Sequence, residues 1–263
     1  MLIGILYFFV ILIVISTGAI AGISGGVILR PIFDAIGYHD VLSIAFYMGV
    51  AVLTMSVSST IKQIAMGTKI NFQKVLALAT GAFAGGVIGQ FIMDGILYHV
   101  GEDELQIIQG VLSIASLIFV LIFTRENVKK YDFKGIFWYA LTGLGLGTFA
   151  TILAIGGGPI NVIVFVILFG ITLKEATVYS ITTIFFAQAA RLGTIGHEHG
   201  FSEFDLSMLF FIIPAAIIGG VVGGRLNVLL PEAMIMKVFK CVVAGTILLN
   251  IYNVAVMSLR LIL

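Results

Sequence analysis

Glycine, proline and asparagine interrupt a long apolar run in the second half of the chain, where residues 155–161 read IGGGPIN. Each glycine would weaken a continuous helix by about 1 kcal/mol and the proline by about 3 kcal/mol. A new helix that begins after such a break presents unpaired N–H groups with partial positive charge, which favour an anion. We therefore predict that the backbone of Gly157 and Gly158 and the side-chain amide of Asn161 bind an anionic ligand.

A weaker copy of this break lies near the start of the chain, where residues 22–26 read GISGG and Pro31 follows. Two apolar segments interrupted at matching positions in two halves are typical of the binding site of a secondary transporter. The backbone N–H groups of Gly25 and Gly26 are accordingly predicted to face the same ligand.

Two cationic side chains and one carboxamide are predicted to complete the site. Gln188 and Arg191 are three residues apart and so share a helix face, and the planar fork of an arginine suits an oxyanion. Lys62 occupies the position equivalent to Arg191 in the first half. Both cations could instead lie at helix ends and extend their charged groups to the lipid headgroups. For Arg30 two interpretations stay open, an anchor at the membrane interface and a ligand of the anion.

Composition makes the lipid bilayer the main partner of this chain. Of its 263 residues, 60% are hydrophobic and 10% are charged, against about 25% charged in soluble domains. The net charge of +1 argues against a nucleic-acid partner. A single cysteine and scattered histidines predict no metal site, and no cofactor or catalytic residue is predicted.

The apolar segments predict an all-α polytopic membrane protein built of two inverted repeats with about five helical segments each. Two of the segments are short and follow the glycine-rich breaks, so they are predicted to be broken or re-entrant helices. The predicted segments are residues 3–22, 27–37, 41–61, 74–93, 105–124, 136–155, 159–171, 175–196, 206–224 and 233–257.

The halves are predicted as residues 1–124 and 136–263, joined by a basic cytoplasmic linker at 125–135. The halves overlay with small gaps, and residues 85–89 (GGVIG) match residues 219–223 (GGVVG). Basic residues gather on opposite sides in equivalent loops, which indicates opposite orientations in the membrane. Two inverted copies can pack in two ways around one site, and this predicts alternating access.

The glycine-rich elements at 22–26 and 156–159, each with its proline-containing helix, resemble those of the TauE/SafE sulfite exporter family, and the resemblance covers nearly the whole chain. It implies a carrier in the cytoplasmic (inner) membrane for sulfite, thiosulfate, a sulfonate or another small organic anion. The chain departs from the family pattern at Ser24, where a glycine is common, and at Pro159, which comes several residues early.

Two other functions are considered. An anion channel would use the same backbone donors and cations. Residues 22–25 (GISG) also match the serine motif of rhomboid-type intramembrane proteases, but that chemistry needs a histidine within reach of Ser24, and each histidine is predicted to lie in a loop or at a helix end. A homodimer is compatible with the sequence.

Overall fold

A computed structural model describes residues 2–68, 71–124, 130–153, 158–198 and 200–262. In this part of the chain every regular element is helical, which confirms the all-α prediction, and five helices are long and apolar enough to cross a membrane. The protein is a multi-pass membrane protein. Its helices are α1 (Leu2–Ala21), α2 (Gly26–Ile36), α3 (Val41–Ala65), α4 (Phe72–Val100), α5 (Glu102–Phe123), α6 (Ile136–Ile152), α7 (Pro159–Phe169), α8 (Leu173–Glu198), α9 (Leu209–Leu229) and α10 (Glu232–Ile262), with short 3-10 turns at Phe201–Glu203 and Leu206–Met208.

The two short helices, α2 and α7, have the same length and the same kind of ending. Each has 11 residues and stops at a glycine in the left-handed conformation, Gly37 with φ 64° and Gly170 with φ 61°. A left-handed residue ends a helix cleanly, and glycine adopts that conformation without a Cβ penalty. Pro159 opens α7 at its first position, where a missing N–H removes no helical hydrogen bond.

Each short helix turns back along the helix before it. Tyr7, in the first half of α1, stacks on Phe33 in the last turn of α2, with ring centroids 4.1 Å apart. Tyr139, in the first turn of α6, stacks in the same way on Phe169 at the end of α7, at 3.9 Å. Each stack joins the beginning of the longer helix to the end of the shorter one, so α2 runs antiparallel to α1 and α7 antiparallel to α6, and each pair forms a helical hairpin.

The first helix of each half packs against the fourth helix of the other half. The pairs are α1 with α9 and α4 with α6, and glycines allow the backbones to approach closely in both. Gly219 and Gly223 of α9 lie against the α1 backbone, and Gly85 and Gly89 of α4 lie against the α6 backbone. The two matching glycine motifs thus occupy corresponding interfaces, with the partners exchanged between the halves.

Amide side chains satisfy the carbonyl groups where α1 and α6 end. Asn227 Nδ2 donates to the Ile20 carbonyl over 2.7 Å, and Gln109 Nε2 donates to the Ile152 carbonyl over 3.2 Å. Ser180 Oγ donates to the Gly22 carbonyl over 2.7 Å. In lipid no water replaces a lost partner, so these side chains make the breaks tolerable.

Replacing Asn227 with alanine should therefore destabilise the fold by about 1–3 kcal/mol, because the buried Ile20 carbonyl loses its donor. We expect a lower unfolding midpoint for the detergent-solubilised variant in a thermal melt. Thr80→Ala is the control, since Thr80 is exposed and bonds only to carbonyls of its own helix, those of Leu76 and Ala77. Equal midpoints for Asn227→Ala and the wild type would contradict this account of the α1 end.

Candidate functional site

The two glycine-rich breaks meet in the structure. A Cβ atom placed on Gly158 would lie 3.1 Å from Val27 Cγ2 and 3.7 Å from both Ile23 Cγ2 and Ser24 Oγ. The tips of the two hairpins are therefore in van der Waals contact, although they lie 132 residues apart in sequence when Gly26 is compared with Gly158. A glycine at 158 keeps this approach free of side-chain bulk. Gly157, which belongs to the predicted site, lies outside the described residues.

In the first turn of α2 some N–H groups donate to nearby backbone carbonyls, and others have no acceptor among the described residues. Val27 N–H donates to the Ser24 carbonyl over 3.3 Å, and Ile28 N–H donates to the Gly25 carbonyl over 3.1 Å. Within the described part of the chain, the N–H groups of Gly25 and Gly26 donate to no backbone or side-chain acceptor. They are thus the N–H groups of this helix start that remain available as donors within the described residues.

A small, mostly apolar cavity of about 20 Å³ lies on the α7 side of the tips. Gly158 and Asn161 line it together with Ser116 of α5. Asn161 is 4% exposed, and its backbone N–H donates to the Gly158 carbonyl over 3.0 Å, which fixes the first turn of α7. The predicted asparagine therefore stands beside the predicted glycine at the wall of one cavity.

A larger and more polar cavity of about 100 Å³ lies on the α2 side of the tips, between α2, α5 and α10. Gly26 and Arg30 line it from α2, and Leu153 borders both cavities. Asparagines at 250 and 253 contribute from α10. Two asparagines three residues apart in an apolar stretch of α10 are a usable sequence signal for this wall, and neither of them is among the predicted site residues.

Residues 48 and 49 of α3 lie between Gln188 and the start of α2. A Cβ on Gly49 would lie 3.7 Å from Gln188 Oε1, and the neighbouring Met48 is 3.6 Å from a Cβ placed on Gly26. Gln188 is 4% exposed, and its Oε1 accepts no hydrogen bond from the described residues. A buried polar atom without a partner is uncommon in native structures and points to a ligand or water.

Arg191 is half-buried on α8, and its guanidinium is close enough to that of Arg30 for the two to repel each other. In the described part of the chain no carboxylate lies within 4.0 Å of Arg191. A partly buried cation without an acidic partner is costly unless an anion neutralises it. Lys62 lies apart, in the last turn of α3 and about 15 Å along that helix from Val52, which contacts Gly26.

Ser24, the nucleophile of the protease alternative, is fully buried against Gly158. His39 lies in the loop after α2, where its Nδ1 is hydrogen-bonded to the Tyr7 hydroxyl over 2.9 Å. No group of three or more metal-binding side chains occurs among the described residues. The structure thus places backbone N–H groups, carboxamides and Arg30 at two cavities, whereas Gln188 and Arg191 line neither of them.

Comparison with known proteins gives one family and two curated relatives. The family model for the sulfite exporter TauE/SafE matches residues 7–249. A protein of Magnetospirillum gryphiswaldense named "Probable membrane transporter protein MamO" is 26% identical over 183 residues, 65% of this chain and 29% of that protein. A protein of the same name from Paramagnetospirillum magneticum is 31% identical over 112 residues, 40% of this chain and 17% of its own length. The chain spans less than a third of the length of either relative.

Proposed function

The chain belongs to the TauE/SafE sulfite exporter family, and from this membership we propose that it is a secondary carrier that moves a small anion across the cytoplasmic membrane by alternating access. The anion is sulfite, thiosulfate, a sulfonate or another organic anion. Both curated relatives are named as probable membrane transporters, which supports the general class. The protein is proposed to act without catalysis and without a cofactor.

The observation that carries this proposal is the contact between the two hairpin tips at Gly158, Ser24 and Val27. Two broken helices whose starts converge on one point are the arrangement that secondary transporters use to hold an ion or substrate. Residues 1–124 and 136–263 are proposed as inverted repeats around that point, with 125–135 as the cytoplasmic linker. The exchanged packing of α1 with α9 and α4 with α6 supports this division.

Binding is assigned to backbone donors at the tips and to side chains behind them. Gly25 and Gly26 act from α2, and Gly157, Gly158 and Asn161 act from the break before α7 and from its first turn. Gln188 and Arg191 supply an amide and a positive charge from α8. Lys62, at the far end of α3, attracts the anion at a mouth of the pathway without touching it in the site.

The proposal is tested by reconstituting the protein in liposomes and measuring uptake of sulfite, thiosulfate, ethanesulfonate and acetate. A carrier gives saturable uptake and counterflow, in which internal unlabelled solute speeds the entry of labelled solute. Unitary ohmic currents would instead identify an anion channel. Ser24→Ala should keep measurable uptake, whereas a serine protease would lose all activity on this change.

A further inference from the structure

The larger cavity contains a positive and a negative side chain on the same helix face. Of the lining residues that the structure describes, Arg30 and Asp34 are the two that carry charge, and they stand one turn apart on α2. Arg30 Nε lies 3.8 Å from Asp34 Oδ2, and the two side chains are 29% and 38% exposed. Strong charge-assisted hydrogen bonds measure about 2.7–2.9 Å, so this pair is loose and both groups can accept a second partner.

Uncharged groups complete the wall opposite α2. Asn250 Nδ2 donates to the Thr246 carbonyl over 3.1 Å, and Gln109 Nε2 donates to the Ile152 carbonyl over 3.2 Å. Because the nitrogens are engaged, the carboxamide oxygens are what these residues offer to a ligand, and neither oxygen accepts a hydrogen bond from the described residues. Such acceptors suit an ammonium group and not an oxyanion.

We propose that this cavity binds a small zwitterionic solute, one that joins an ammonium group to a sulfonate or carboxylate. Arg30 binds the oxyanion end, while Asp34 and the carboxamide oxygens bind the ammonium. A zwitterion uses both charged side chains that line this cavity, whereas an anion without an ammonium group leaves Asp34 without a partner. The sulfonate or carboxylate end of the zwitterion is the anionic group that the proposed carrier recognises. The inference rests on the proposed function, since Gly26 and Leu153 link the cavity to the hairpin tips.

The test compares two solutes that differ only in the ammonium group, 2-aminoethanesulfonate and ethanesulfonate, in proteoliposomes at pH 7. We expect the wild type to take up the amino compound with at least a tenfold higher kcat/KM. Asp34→Asn should remove most of that preference by weakening uptake of the amino compound alone, and Arg30→Gln should weaken both. Asp205→Asn is the matched control, because Asp205 is exposed on a loop and an asparagine can still accept from Ser207 N–H.

Several outcomes would overturn the inference. Equal kcat/KM of the wild type for the two solutes would overturn it without any variant. An equal decrease in the uptake of both solutes in Asp34→Asn would also overturn it. In either case the proposed carrier would stand, since saturable uptake would still be seen. Absence of saturable uptake of every solute would remove the carrier and this inference together.

A lipid headgroup is the other source of the same chemistry, since phosphatidylethanolamine joins an ammonium group to a phosphate. The uptake ratio is therefore measured in vesicles of phosphatidylcholine alone and again with phosphatidylethanolamine added. We expect the same ratio in both. If the preference for the amino compound disappears when phosphatidylethanolamine is added, the cavity binds the lipid headgroup, and the proposal of a zwitterionic solute is overturned.

Discussion

Replacement of Arg191 by glutamine should lower kcat/KM for anion uptake about 10- to 100-fold, since a hydrogen bond to a charged group contributes about 1.5–3 kcal/mol. Arg191 is half-buried, is repelled by the charge of Arg30 and has no carboxylate within 4.0 Å among the described residues, so the proposed anion would balance its charge. Glutamine keeps a planar group with N–H donors but removes the charge. The effect is measured as initial uptake rate against anion concentration in proteoliposomes.

Two further variants show whether an effect at Arg191 reports on the site. Arg225→Gln removes an equivalent charge from an exposed position on α9 and should leave uptake unchanged. Asn161→Ala should weaken uptake in the same direction but less, because an uncharged donor contributes about 0.5–1.5 kcal/mol. Wild-type kinetics in both Arg191→Gln and Asn161→Ala would refute the assignment of these two residues to the anion.

The short helices were the most predictable part of the fold because residues at or next to their ends determine where they begin and end. Glycine and proline make a continuous helix unfavourable by amounts that do not depend on the rest of the protein. The predicted short segment at 159–171 begins where α7 begins and ends two residues beyond it, and the segment at 27–37 matches α2 to within one residue at each end. The predicted end of the preceding segment, at 155, overshoots the observed end of α6 at Ile152 because apolar residues continue into the break.

The partners of the breaks were not predictable in the same way. Asn227 reaches the α1 end from 207 residues away, and Gln109 reaches the α6 end from α5. Nothing local distinguishes such an amide from one that only joins two neighbouring helices. The polar cavity beside α2 was missed for the same reason, since Arg30, Gln109 and Asn250 come together only through the packing of α2, α5 and α10.

Substitution of glycines at the interface between α4 and α6 is the second change for which we expect a large effect. This effect is on the stability of the fold and not on transport. A Cβ atom at Gly85 would meet the carbonyl oxygen of Leu144, and one at Gly147 would meet that of Ala82. Because backbone cannot rotate away as a side chain can, Gly85→Ala and Gly147→Ala should force the two helices apart. Overpacking of this kind costs about 1–3 kcal/mol and sometimes more. We expect a lower unfolding midpoint and a smaller monodisperse peak in detergent.

Neighbouring glycines serve as controls for these two variants. At positions one or two residues away, the same glycine-to-alanine substitution should leave the unfolding midpoint unchanged or raise it. A Cβ at Gly86 comes no closer than 3.6 Å to its nearest neighbour, Thr151 Oγ1, and one at Gly145 has nothing within 4 Å. Alanine is favoured over glycine in a helix by about 0.8–1.0 kcal/mol, so Gly86→Ala and Gly145→Ala should leave the midpoint unchanged or raise it. If all four variants shifted the midpoint alike, helix propensity alone would govern these positions, and the close packing of α4 on α6 would be wrong.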